Sequence, residues 1–337
     1  MCIRDRNSNN PLVKTKHNFV LDRKILLIDS DDRDIERWPH SSEFEIRCPQ
    51  IYNNVESIKL VNIMLPNFLY NISEYLQTNK MILEISGATY TIVIQDGYYK
   101  HSQLKLALQK KLIAIDPSFV VTFNELNNKY YFGHPNRNIT FKFKFDKVID
   151  YSTCNKDNYK VNVFSQHSEW GLGYILGFDK TTYVSKVSAD DDILSFADAP
   201  TRWIDSSSNV LVSQNPSNLE DNIFIYIELD KYNKSDELKP YLYYNNSNTS
   251  SGIINGAFAK IPHTLSLNNN CTVNDGYLDN VSYFQPPIDK IAKIKLKFRY
   301  HNGMLVDFNN FNISLSLEIN QLRNEMNNYE VRTPYKI

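Results

Sequence analysis

The chain has 337 residues, 42% hydrophobic and 22% charged, enough for one large domain or two ordinary ones with a sizeable core. Its 37 basic and 38 acidic residues leave a formal charge of −1, so no global field draws it onto nucleic acid or an anionic membrane. No apolar run reaches the length of a bilayer, and the polar, mixed N-terminus reads as lacking a signal peptide.

The first six residues, MCIRDR, match the translation of a sequencing adaptor, and residues 7–18 read as a tail or connector. Residues 1–18 are therefore set aside in reasoning about fold. Without Cys2, three distant cysteines remain, Cys48, Cys154 and Cys271, with no CxxC pair. That usage fits a reducing compartment.

Aromatics reach 13% and favour strands. Strand-like runs begin at Lys24–Asp29, Glu43–Cys48 and Val55–Leu65, the last ended by Pro66. MILEIS and TYTIVIQ flank Gly87, a turn. The period then changes. Leu104, Leu108, Leu112 and Ile115 recur at helical spacing, which predicts a helix over 102–115 with Ser102 as N-cap and Pro117 beyond its end.

Strands resume at Phe119–Phe123, Lys129–Phe132 and Ile139–Phe145, where Phe141, Phe143 and Phe145 share one face. SSSN before Val210 reads as a loop. Ile223, Ile225, Ile227 and Leu229 form one face of a later strand, residues 233–256 read as a loop, and two alternating strands close the chain. About a dozen strands and one clear helix imply a mainly β fold: an antiparallel β-sandwich, jelly-roll-like, with an inserted small α+β module. The expected division is 19–86 plus 205–337 for the sandwich, 87–190 for the module and 191–204 for a linker.

Two stretches imitate catalytic motifs. KILLIDSDDRDIERWP, residues 24–39, delivers Asp29 and Asp31 from a strand end, as an aspartate-nucleophile phosphatase would. That chemistry needs a parallel sheet with a crossover helix after each strand, and the chain offers one helix. An acidic turn at a strand end is the plainer reading, and the Asp190-Asp191-Asp192 triplet reads as a polar loop. GLGYILG, Gly171–Gly177, resembles a dinucleotide fingerprint, but no helix of useful length follows. The plainer reading is a helical turn ending at Gly177 with Ile175, Leu176 and Phe178 inward. The seven His form no metal-ligand spacing, His167 near Glu169 reads as a surface pair, and no nucleophile elbow or P-loop occurs. No catalytic residue, metal or cofactor is nominated.

Residues 292–301 place Lys293, Lys295, Lys297, Arg299 and His301 on one face and Ala292, Ile294, Leu296, Phe298 and Tyr300 on the other. Like charges in a row call for solvent, a guarded edge, an acidic neighbour subunit or phosphate. As a protein-interaction candidate the row is Lys293, Lys295, Lys297 and Arg299.

IDSDDRDIERWPHSSEFEIRCPQIYNNVESIKLVNIMLPNFLYNIS resembles an N-terminal pattern in virion structural proteins of large DNA viruses of algae and other protists. IQDGYYKHSQLKLALQKKL, VVTFNELNNKYYF, YILGF and PPIDKIAKIKLKFRYHNGMLVDF with NISLSLEI resemble later parts of the same proteins, so the likeness runs over most of 22–319. It implies a minor capsid protein of jelly-roll-like architecture that cements capsomers in an icosahedral shell, in a virion assembled in the host cytoplasm. The implied partners are the major capsid protein and other capsid subunits. No specific nucleic acid or transmembrane segment is implied, and contact with an inner virion membrane stays open. Asp31, Arg33, Asp34, Trp38 and Pro39 then serve as fold markers, with Arg33 bridging carboxylates or strand-end carbonyls by its planar fork. A host-attachment or glycan-binding module, suggested by YLYYNNSN, remains the second reading.

Overall fold

A computed structural model describes residues 19–66, 69–149, 170–187, 208–219, 223–238, 254–263, 271–274 and 281–324. The first elements are β1 (Phe19–Asp29), a 3-10 turn at Ser30–Asp32, β2 (Glu43–Leu65), β3 (Lys80–Ile85), β4 (Ala88–Val93) and α1 (His101–Ile113). There follow β5 (Val120–Asn124), β6 (Lys129–His134), β7 (Phe141–Lys144), α2 (Gly171–Ile175), β8 (Thr182–Val184), β9 (Lys186–Val187) and β10 (Asn209–Val212). The last are β11 (Ile223–Leu229), β12 (Ser235–Leu238), β13 (Ile254–Ala257), β14 (Ala259–His263), β15 (Cys271–Asn274), β16 (Ser282–Arg299) and β17 (Ser314–Asn324).

The protein is mainly β, and its strand pairs are antiparallel. A seven-stranded sheet runs β1-β17-β2-β16-β11-β14, with β15 added beside β2, and the antiparallel sheets include a curled half-barrel. Two four-stranded sheets, β5-β6-β10-β9 and β4-β3-β7-β8, accompany α1. β12 and β13 form a separate ladder inside the segment read as a loop, where SDEL and INGA lack an apolar alternation.

β2 explains how a 23-residue strand keeps one face in the core. Val55, Ile58, Leu60, Ile63 and Leu65 are all buried. Strict alternation would turn Ile58 outward from Val55 and Ile63 outward from Leu60. The β17 register skips Glu56, between Gln321↔Val55 and Asn320↔Ser57, and skips Val61, between Leu317↔Leu60 and Ser316↔Asn62. Each extra residue resets the phase and adds twist, which bends the sheet.

Among the described residues two large hydrophobic clusters result, beside a small one at Tyr131 and Val210. One gathers residues of β1, β2, β11, β14, β16 and β17, among them Leu26, Phe44, Ile58, Ile227, Ile294 and Leu317. The other spans Ile72 to Leu219 and takes in Leu104, Leu108 and Leu112 of α1. The side chain of Asn71 closes the second cluster, accepting from Tyr99 N–H at 2.8 Å and donating to the carbonyls of Tyr99 at 2.8 Å and Leu219 at 3.3 Å. The boundary expected after residue 86 falls in the turn of the β3–β4 hairpin, and β10, beyond residue 205, pairs with β6. We propose drawing the division near residues 70 and 220 instead.

The helix starts one residue before the expected position. Lys100, not Ser102, is the N-cap, and the Gln103 side chain accepts from the Lys100 N–H at 2.9 Å. The helix stops at Ile113, so Ile115 packs from the following turn.

Candidate functional site

Neither imitated catalytic motif has the surroundings its chemistry needs. Asp29 ends a strand paired antiparallel with β17, not a strand of a parallel sheet. Its Oδ1 accepts from the Asp31 N–H at 2.9 Å and so caps the 3-10 turn, while Asp31 Oδ1 accepts from the Asn312 side chain. In GLGYILG, α2 is only five residues long. A Cβ on Gly173 would lie 2.5 Å from the Trp170 ring and 2.6 Å from that of Phe145. Gly177 has φ +89°, and a Cβ there would meet the Asn215 carbonyl. These glycines make room for an aromatic core, and Leu176 and Phe178 are fully buried.

The fold-marker residues form a clasp between β1 and β2. Arg33 donates to the carbonyls of Ser30 (2.6 Å), Trp38 (3.0 Å) and Pro39 (3.2 Å), and to Asn312 Oδ1 at 3.3 Å. A planar fork suits this task because its donors diverge in one plane. Its acceptors are carbonyls and an amide, not carboxylates. Asp34 Oδ1 accepts from the Arg37 N–H at 3.2 Å and tightens the same loop. From the far end of the chain, Asn312 and Phe311 join in. Ser30 Oγ donates to Asn312 Oδ1 at 3.1 Å, the Ile313 N–H donates to Ser30 Oγ at 2.9 Å, and Ser41 Oγ donates to the Phe311 carbonyl at 2.8 Å.

The basic row lies beside the clasp. Ile294, Leu296 and Phe298 point into the core. On the other face the cations meet glutamates of the adjoining strands. Lys293 reaches Glu45 at 3.0 Å, and Lys295 and Lys297 reach Glu43 at 2.7 and 3.6 Å. Arg299, itself buried, pairs with Glu228 on β11. The β2–β16 register sets Lys295 opposite Glu45 and Lys297 opposite Glu43, so Lys293 and Lys295 reach their acids along the diagonal. The row therefore carries acidic partners within its own chain.

Trp38 connects the two groups, with Lys295 Nζ 4.6 Å and the Arg37 guanidinium 5.4 Å from its ring centroid. Sequence reasoning found the cations and Trp38 but missed Glu43, Glu45, Glu228 and Asn312. The EFEIR alternation of β2 was a signal for the two glutamates, but only the register assigns their partners.

Among the described residues no group of three or more His, Cys, Asp or Glu could hold a metal, and no helix is long and apolar enough to cross a membrane. Cys48 is half-buried, and burial pushes its thiol up to about 11. Residues 1–18, Cys154, His167, Glu169, Asp190–Asp192, the 191–204 linker and YLYYNNSN lie outside the described residues.

A family described as being of unknown function, DUF5901, matches residues 16–150, less than half of the chain. No curated protein matches. Among solved structures, the mavirus penton protein is similar at a TM-score of 0.43 and 12% identity, over 90% of this chain and 99% of that one. A chain of the Sputnik virophage is similar at a TM-score of 0.41 and 13% identity, over 89% of this chain and 98% of that one. Identities and TM-scores this low establish no shared function.

Proposed function

We propose that the chain is a virion structural protein, a minor capsid protein that cements capsomers in an icosahedral shell. Its partners are the major capsid protein and other capsid subunits, and its place is the virion, assembled in host cytoplasm. One observation carries this reading. The two ends of the sequence pattern that resembles virion structural proteins, IDSDDRDIERWPHSS and VDFNNFNISLSLEI, interlock through Arg33, Ser30, Ser41 and Asn312. The pattern marks one physical unit whose polar groups are spent on holding strands together. Such a unit is suited to a rigid building block rather than to turnover of a substrate.

Quantitative mass spectrometry of purified, salt-washed particles tests the proposal. The protein is expected at a fixed ratio to the major capsid protein from one preparation to the next. Its absence from washed particles, with abundance in infected-cell extract, overturns the reading.

A further inference from the structure

We propose that β1 is a self-pairing edge through which two copies of the chain join antiparallel about a two-fold axis at Arg23. This is independent of the function proposed above. Among the described residues, β1 pairs with β17 along one edge and with no strand along the other. Its ladder runs from Phe19↔Asn324 to Asp29↔Ser314 without a register shift. Proteins commonly blunt such an edge with a proline, a bulge or a short strand. β1 has none of these and is eleven residues long; its one guard is the charged centre Asp22-Arg23-Lys24. Its outward face shows Leu21, Ile25 and Leu27 at 53%, 46% and 75% exposure.

The occupant follows from the sequence of the strand. Residues 19–27, FVLDRKILL, read as three apolar residues, Asp22-Arg23-Lys24, and three apolar residues. With Arg23 opposite the partner's Arg23, Asp22 faces the partner's Lys24 and Lys24 faces the partner's Asp22. Leu21 then faces the partner's Ile25, and Val20 faces the partner's Leu26. The two central arginines are each neutralised at home, since Arg23 Nη2 lies 2.7 Å from Glu318.

The adjacent registers fail. A one-residue slip sets the outward face of one strand against the inward face of the other. A two-residue slip loses both Asp22–Lys24 cross pairs, setting Asp22 against the partner's Asp22 and Lys24 against the partner's Val20, or Lys24 against the partner's Lys24 and Asp22 against the partner's Leu26. Self-complementarity at a single register is what an isologous two-fold contact requires. Asp22 is also held by Arg323 at 2.6 Å and Lys24 at 3.7 Å within the chain, so these groups are already ordered.

Cysteine trapping on the full chain tests register and partner together. Directly opposite Cβ atoms in an antiparallel pair lie about 4.5–5.5 Å apart, close to disulfide reach. Arg23→Cys should give a covalent dimer on mild oxidation, and peptide mapping should place the link between the two introduced thiols. In this register the two copies of residue 27 are roughly 27 Å apart, so Leu27→Cys should not link to itself. In sedimentation equilibrium, Asp22→Lys should weaken the wild-type dimer about tenfold or more, and adding Lys24→Asp should restore it to within about threefold. Wild type that stays monomeric at 100 µM overturns the proposal, whether a foreign strand or this chain's own residues 1–18 cover the edge. Equal linking by Leu27→Cys, or none by Arg23→Cys in a dimer, overturns the register.

Discussion

The two hydrophobic clusters hold together in different ways. In the seven-stranded sheet, order comes from register: β2 and β16 are 23 and 18 residues long, and bulges keep their aliphatic residues in phase. In the cluster around α1 the strands are two to six residues long, and order comes from rings. Phe143 lies 4.8 Å from Phe132, 5.8 Å from Phe141 and Phe145, and 6.2 Å from Phe178 between centroids. A long ladder spreads its stability over many weak steps, whereas a ring cluster concentrates it in a few large side chains. The first should therefore tolerate local damage better than the second.

The sharpest way to break this contrast is Phe143→Ala. The residue is fully buried, and its truncation should cost about 3–5 kcal/mol by denaturant unfolding. Hydrogen exchange should rise across β3–β8 and α1 while β16 and β17 stay protected. Uniform loss of protection would mean that the two clusters form one cooperative unit.

His263, on edge strand β14, gives a smaller, pH-dependent effect confined to the large sheet. It is buried, neither ring nitrogen has a hydrogen-bond partner among the described residues, and burial pushes its pKa down to about 4 from 6.5. A depressed histidine pKa means that the unfolded state binds the proton first. Stability is therefore full above about pH 6.5 and falls as pH drops toward 4, by roughly 3 kcal/mol. His263→Phe should flatten that slope in urea melts between pH 6.5 and 4. Glu84, which Lys144 and Lys142 hold down at about 2, acts in a lower window. Its contribution is present above about 4.5 and is lost as pH falls toward 2.

Arg33→Ala removes the donors that hold three loop carbonyls, at an expected cost of about 2 kcal/mol. Arg33→Lys should recover little of it, because an ammonium lacks the fork. Thermal melts of the three proteins check both points. The smallest effect belongs to the basic row. Lys297→Ala should cost less than about 1 kcal/mol, since Lys297 and Glu43 are a partly exposed pair. Reversing Lys295 and Lys297 to Glu should cost more, and the loss should shrink as salt rises, because Glu43 would then face two like charges. Folding unaffected by that reversal would mean that the pairs contribute nothing to the sheet.

Much of this was legible in the sequence, and the failures have causes. Alternation marked β7, β11, β16 and β17, and helical spacing marked α1. β2 read as two runs because Pro49 and the Asn53-Asn54 pair look like breaks; Asn54, at φ 50°, is a local kink inside one strand. β12 and β13 went unread because a four-residue ladder needs no apolar pattern of its own. The row at Lys293–Arg299 was visible, but Glu43 is some 250 residues away, and cross-strand partners are decided by tertiary register. The Arg33 clasp was legible as a motif, while Asn312 was not, because one amide in an Asn-rich chain carries no signal.

The most direct test of the central claim is a density map of the intact particle, with the seven-stranded sheet fitted as a rigid body. The account predicts density for the long β2–β16 pair within the shell, between capsomers and touching the major capsid protein. Density only in the particle lumen, only on an external fibre, or nowhere in the particle would contradict it.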